Sequence, residues 1–333
     1  MQKRLSIRVI ATFVFLFSTI LGLNGYAQKS DSSKSDSRTK SSSDQKKEVK
    51  TKYIQFRTEK GKPKAMQTAV SRFAADDGKS KVTVDLVGVV HIGDKSYYQA
   101  INKLLKEYDV VLYELVAPDD EKITNKKLAG SDNPLRMLQA MPQKMMGLDS
   151  QLENIDYEAK NFVHADLTPE EIAKKMAERG ESTMTVVLDT LSEVIKKQNL
   201  SGQGQGSASD AAQANPLAMF GDPGKMKLML AKQFVDSEAL DMGLGTALNR
   251  ILIQDRNEEA MKELSRQVFA GHKKVAIFYG AAHMPDFEKR LAKDYGLKLK
   301  SQKWLDAWDL TKKPSSSDDP TALLFELLKE FDK

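Results

Sequence analysis

Val82-Thr-Val-Asp-Leu-Val-Gly-Val-Val-His91-Ile-Gly-Asp94 and Lys274-Val-Ala-Ile-Phe-Tyr-Gly-Ala-Ala-His283-Met-Pro-Asp286 carry one arrangement twice. Each is a short apolar run, then Gly-x-x-His, then an aspartate three residues on and a helical pattern. A continuous apolar run bounded by glycine reads as a buried strand, and the repeat reads as an imperfect internal duplication. A helix from Asp94, as its N-cap, to about Tyr108 buries Tyr98, Ile101, Leu104 and Leu105. The next strand, Val110 to Leu115, returns the chain to the edge it left. This crossover places His91 and Glu114 at the carboxyl edge of neighbouring parallel strands, where open α/β sheets bind ligands. If the second half joins the same sheet, His283 comes to that edge too.

Working outward, Met66 to Ala74 and Val82 to Val90 flank the turn-forming Asp76-Asp77-Gly78-Lys79-Ser80, which predicts a β-hairpin. Helices are predicted at 135–146, 168–179, 183–197, 225–240, 257–270, 285–295 and 320–331, with a strand at 274–279 and strand with irregular structure over 297–310. Thr168-Pro169-Glu170-Glu171 is a helix start with cap, proline at the first position and glutamate three residues on. The fold class is α/β (α+β): a mixed sheet core of two related strand-Gly-x-x-His-helix halves, with a large helical insertion over 118–252. Within the insertion, the Gly/Ser/Gln-rich stretch 200–216 reads as a mobile loop or lid. Ten of the 14 methionines lie between Met137 and Met242. They read as core filler, with an adaptable apolar groove as the alternative.

The chain has 333 residues, 51 Lys+Arg against 46 Asp+Glu, and no cysteine. Disulfide scaffolds, Cys-ligated zinc, iron–sulfur clusters and thiol nucleophiles are therefore excluded. The formal charge of +5 belongs to the start of the chain: 1–27 and 28–50 each carry +3, and the remainder carries −1. A nearly neutral body offers no electrostatic reason for a nucleic-acid partner. Met1 to Arg8 is basic, Val9 to Leu23 almost wholly apolar, and Gly25-Tyr26-Ala27 small enough for a signal peptidase. Residues 1–27 thus read as a secretory signal, and the protein as extracytoplasmic (periplasmic or secreted). The alternative is membrane anchoring by an uncleaved segment, although the apolar run is short of the roughly 20 residues a span needs. No later segment reads as an integral membrane span. Residues 28–52 are a Ser/Lys-rich disordered tether, and the folded domain is 53–333.

Two imidazoles and one carboxylate at a strand edge suit a divalent metal with open positions for water. Other chemistries lack their patterns. There is no His-Glu-x-x-His and no Gly-x-Ser-x-Gly. Gly78-Lys79-Ser80 lacks the first glycine of a phosphate loop, and Gly243-Leu-Gly lacks the preceding strand of a dinucleotide fingerprint. His164, in Phe162-Val-His-Ala-Asp166, is either a further metal ligand or acid/base group, perhaps with Asp166, or a turn residue bonded to the backbone. His272, beside Lys273 and Lys274, is expected to be solvent-exposed.

The runs Val87-Gly-Val-Val-His91-Ile-Gly, Val111-Leu-Tyr-Glu114-Leu, Asp255-Arg256-Asn257 and Phe278-Tyr-Gly-Ala-Ala-His283 together resemble the TraB/GumN family, which includes PrgY and the Tiki proteases. The resemblance covers about Val82 to Leu297, with a variable helical block between the motifs. It implies His91, Glu114 and His283 as a metal-centred site holding Mn, Co or Zn, with Arg256 as a nearby functional residue. It also implies metal-dependent hydrolysis of peptides. Asp255 stands where glutamate is usual and is left outside the ligand set. An arginine at a helix start opposes the helix dipole, so Arg256 calls for a structural carboxylate or an anionic substrate group. The expectation is an extracytoplasmic hydrolase with a metal-activated water and Glu114 as ligand or general base, taking a peptide or small-molecule substrate. The alternatives are a non-catalytic ligand- or haem-binding protein and an esterase-type hydrolase.

Overall fold

Strand β8 (Lys274–Gly280) lies between β3 (Thr83–Val89) and β5 (Val110–Tyr113), parallel to both. The expectation that β3 and β5 are neighbours is thereby corrected: the second Gly-x-x-His strand is inserted between them. This computed structural model describes residues 51–76, 81–116, 143–182, 184–186, 188–189, 192, 222–236 and 245–312. The signal segment 1–27, the tether to residue 50, the loop 200–216, the helix at 320–331 and most of the helices at 135–146 and 183–197 lie outside the described residues.

The sheet is mixed and α/β, as its sequence predicts. β1 (Ile54–Glu59) and β2 (Lys62–Ala74) form a hairpin through Lys60 and Gly61, both at positive φ (49° and 74°). Glycine meets that backbone demand at no steric cost. β2 pairs antiparallel with β9 (Lys298–Asp309) along one edge, and with β1 and then β3 along the other. On the far side β5 pairs in parallel with β7 (Phe162–His164). The region read as a helical insertion therefore contributes a strand to the core sheet, too short at three residues to show alternation. A second, two-residue pairing joins β4 (Ile92–Gly93) to β6 (Asp149–Ser150).

Both faces of the sheet are covered. On one, α1 (Lys95–Leu105) and α4 (Pro223–Asp236) pack Tyr97, Tyr98, Ile101, Met226 and Ala231 against Ala276 and Phe278. On the other, α6 (Asp255–Phe269) and α7 (Met284–Tyr295) pack Ala260, Leu264, Phe287 and Leu291 against Val275, Ile277 and Tyr279. Alternate residues of β8 thus enter opposite cores, which is why the strand reads as continuously apolar. Met145, Met146, Met176 and Met226 are buried as filler, while Met184 is exposed. The remaining helices are α2 (Gln151–Asn154), α3 (Pro169–Glu178) and α5 (Gly245–Asn249). α3 begins in a complete capping box between Thr168 and Glu171. Among the described residues no helix is long and apolar enough to cross a membrane.

Three local expectations are corrected. Asp94 occupies the position before α1, but its carboxylate makes no cap bond; it accepts from the backbone of Asp309 and faces Lys227 Nζ at 3.5 Å. Asp94 is thus drawn to β9 and α4 rather than to its own helix. Arg256 is not at a helix start, because α5 runs through a π-helical turn, Arg250–Gln254, into α6 without a break. His272 is half-buried rather than exposed. Thr51 Oγ1, near the end of the stretch read as tether, donates to Glu288 of α7 at 2.7 Å, beside Tyr53.

Candidate metal-binding and catalytic site

The backbone directly after β3 is anchored from several sides. Tyr98 Oη donates to Val90 O at 2.9 Å, Gln151 N to His91 O at 2.9 Å, and Trp308 Nε1 to Ile92 O at 2.6 Å. Gly93 allows this approach, since a β-carbon there would lie 2.9 Å from Tyr97 Cδ1 and 3.2 Å from Ala307 O. At the neighbouring strand end, Gly280 passes into a 3₁₀ turn, Ala281–His283, that swings His283 back over the sheet edge. Glu114 follows β5 by one residue, and its backbone N–H donates to Phe278 O at 3.2 Å.

These three side chains converge on one point. A β-carbon on Gly280 would lie 3.2 Å from Oε2 of Glu114, 3.7 Å from Cδ2 of His283 and 3.8 Å from Cε1 of His91. Gly280 N itself donates to Glu114 Oε2 at 2.6 Å. The structure therefore brings together the three residues that the motifs single out. His283 is buried, whereas His91 is exposed and opens the point to solvent.

The imidazoles arrive from opposite faces of the sheet with matching support. His91 Nδ1 lies 3.0 Å from Gln151 Oε1, and Gln151 Nε2 lies 2.9 Å from Tyr157 Oη. His283 Nδ1 lies 2.6 Å from Asn257 Oδ1. Asn257 Nδ2 donates to His283 O at 3.1 Å and to Asp286 Oδ2 at 2.9 Å, and Arg290 Nε holds that same oxygen at 2.6 Å. In both rings an amide holds Nδ1, leaving Nε2 as the outward atom. This is the support that histidine metal ligands and acid/base groups ordinarily have.

Of the two partners expected for Arg256, the structure supplies the structural carboxylate. Its Nε and Nη2 grip Asp166 at 2.9 and 2.6 Å, Nη2 also reaches Glu114 Oε1 at 2.7 Å, and Nη1 donates to Leu252 O at 3.2 Å. Every guanidinium nitrogen is engaged by the protein itself, so Arg256 compensates carboxylates rather than projecting at a substrate. Burial alone would push Glu114 up, but Arg256 and the imidazoles outweigh it and hold the carboxyl well below its ordinary range. Tyr279, whose hydroxyl donates to Ala165 O, is pushed well above its ordinary value, chiefly by burial and then by Asp166.

Arg256 is shared between two carboxylates, the buried Asp166 and the part-buried Glu114. His283 Nε2 lies 3.5 Å from Glu114 Oε1. A bare lone pair on Nε2 would face a carboxylate oxygen, so the arrangement calls for a proton or a metal ion there.

The donor set suits a divalent metal: two Nδ1-anchored imidazoles and a carboxylate whose oxygens each retain a lone pair beyond the one hydrogen bond they accept. Among the described residues, no group of three or more His, Asp or Glu side chains already stands at metal-ligand spacing. His164 is kept apart from this set. It ends β7, its Nε2 is bonded to Leu115 O at 2.6 Å, and its ring lies edge-on to Tyr113. It bonds the backbone, as one reading expected, but from a strand rather than a turn. Asp255 lies outside the site, paired with Arg179 at 2.9 Å. The residues sequence reasoning missed are Asn257, Gln151 and Tyr157, of which Asn257, in the Asp-Arg-Asn run, had a visible signal; Asp166, read as a possible partner of His164, is bound by Arg256 instead. Comparison of the chain with protein-family models, with curated proteins and with solved structures gives no match.

Proposed function

We propose that this chain is an extracytoplasmic metal-dependent hydrolase acting on peptides, with His91, Glu114 and His283 holding the ion. The observation that carries the reading is the convergence of these side chains around Gly280, with each imidazole supported at Nδ1 and a single arginine shared between Glu114 and Asp166. A divalent ion there would polarise a scissile carbonyl and make bound water a nucleophile near neutral pH. The protein's own part is to orient the imidazoles through Gln151 and Asn257, and to keep Glu114 ionised through Arg256 and Gly280 N. An ionised Glu114 can ligate the metal or take a proton from attacking water. Exposed His91 marks the side from which substrate enters. The address rests on the basic-then-apolar pattern of 1–27, and the peptide class on the TraB/GumN-like motifs.

The test is elemental analysis of the purified mature protein, a visible absorption spectrum, and turnover of a peptide library before and after chelation. One equivalent of Mn, Co or Zn with chelator-sensitive cleavage is expected. A haem Soret band without metal-dependent turnover would overturn the reading in favour of a carrier, and turnover indifferent to chelation would remove the metal.

A further inference from the structure

Asn257 is fully buried, and its amide has only one orientation compatible with its neighbours. The nitrogen faces two acceptors, the carbonyl of His283 and the carboxylate of Asp286, while Oδ1 faces His283 Nδ1 at 2.6 Å. Turning the amide over would set its oxygen against both acceptors. Asp286 is in turn fixed by Arg290, whose Nη2 reaches Gln254 O at 3.2 Å on the π-helical turn before Arg256. Asp286 thus accepts from both Arg290 and Asn257, which leaves the Asn257 oxygen to accept from His283 Nδ1.

We propose that Asn257 is a positioning residue that fixes His283 with a proton on Nδ1, so that Nε2 is the ring atom presented to Glu114 and the point above Gly280. The aspartate that follows the second Gly-x-x-His acts through it: Asp286 locks Asn257, and Asn257 locks the imidazole. The aspartate after the first motif has no such part, because Asp94 turns to β9 and α4. The duplication is therefore functional in its histidines and divergent in its aspartates. A fixed Nδ1–H also makes Nε2 the stronger donor to a metal. This deepens the metal reading above and rests on it only for its consequence in affinity.

The test uses the metal-free mature protein with ¹⁵N-labelled histidine, and ¹H–¹⁵N correlation spectra recorded at about pH 9, well above the ordinary imidazole value of about 6.5. His283 is expected to carry a proton on Nδ1. In Asn257→Ala the second tautomer should appear, and affinity for Mn²⁺ or Zn²⁺ should fall about 10- to 100-fold. The exchanged pair Asn257→Asp with Asp286→Asn keeps an oxygen toward Nδ1 and one negative charge, and should restore the Nδ1 proton. A parent protein in which His283 carries its proton on Nε2 alone overturns the proposal, as does an Nδ1 proton left unchanged in Asn257→Ala. A correct tautomer in a protein that binds neither metal contradicts the metal reading and leaves this inference standing.

Discussion

Arg256 divides one guanidinium nitrogen between two acids: Nη2 lies 2.7 Å from Oε1 of Glu114 and 2.6 Å from Oδ2 of Asp166. The first acid belongs to the converging site and the second to the segment after β7, so Arg256 ties the site to the sheet's outer strand. Replacing it removes the guanidinium shared by both carboxylates, leaving Glu114 with Gly280 N and His283, and Asp166 with Leu167 N.

Arg256→Met should therefore lower stability by about 3–5 kcal/mol, the usual effect of removing one member of a buried ion pair. Urea denaturation at neutral pH measures it. A loss under 1 kcal/mol would mean that solvent, rather than Arg256, neutralises these acids.

The depressed Glu114 sets the sign of a pH effect. A carboxyl whose folded value lies below its unfolded one of about 4.5 stabilises the fold above that value, and the contribution fades as pH falls toward the folded value. The stability gap between the parent protein and Glu114→Gln should thus be constant from pH 7 to about pH 5 and shrink below 4.5. Urea midpoints of both proteins along that range test this. A gap that widens on acidification would show that burial, not Arg256, dominates.

Gly280 is required for space rather than for backbone conformation, since its φ of −49° and ψ of 138° suit other residues. Gly280→Ala would set a methyl group 3.2 Å from Glu114 Oε2, tighter than ordinary contact, and must displace that side chain. The expected result is a stability loss of about 1–3 kcal/mol with a disproportionate loss of metal affinity. Calorimetric titration with Zn²⁺ or Mn²⁺ decides; undiminished affinity would place the binding point away from Gly280.

His164→Asn should keep the metal and most activity, because His164 Nε2 is bonded to Leu115 O and its ring packs on Tyr113. Metal content of the variant is the measurement, and its loss would bring His164 into the ligand set.

His91, Glu114 and His283 were legible because each follows a continuously apolar strand, and strand ends share an edge whatever the order of the strands. That order was not legible: inserting β8 between β3 and β5 depends on packing across the whole sheet. β7 escaped notice because Phe162–His164 has too few residues for a period. Asp94 read as a cap because its type and place suit one, yet the close approach of β9 at Gly93 draws its carboxylate away. Asn257 and Gln151 lie far along the chain from the imidazoles or face them from another element, so their roles appear only once the fold is assembled.

The central claim is that His91 and His283, from opposite faces of the sheet, form one metal site with Glu114. Metal content by elemental analysis tests it most directly in the parent protein, His91→Ala, His283→Ala and the double variant, with circular dichroism to confirm folding. Groups that act as a unit are non-additive, so each single variant should lose the metal and its turnover of peptides, and the double variant should be hardly worse. A parent protein purified with stoichiometric metal that either single variant retains in full would contradict the account.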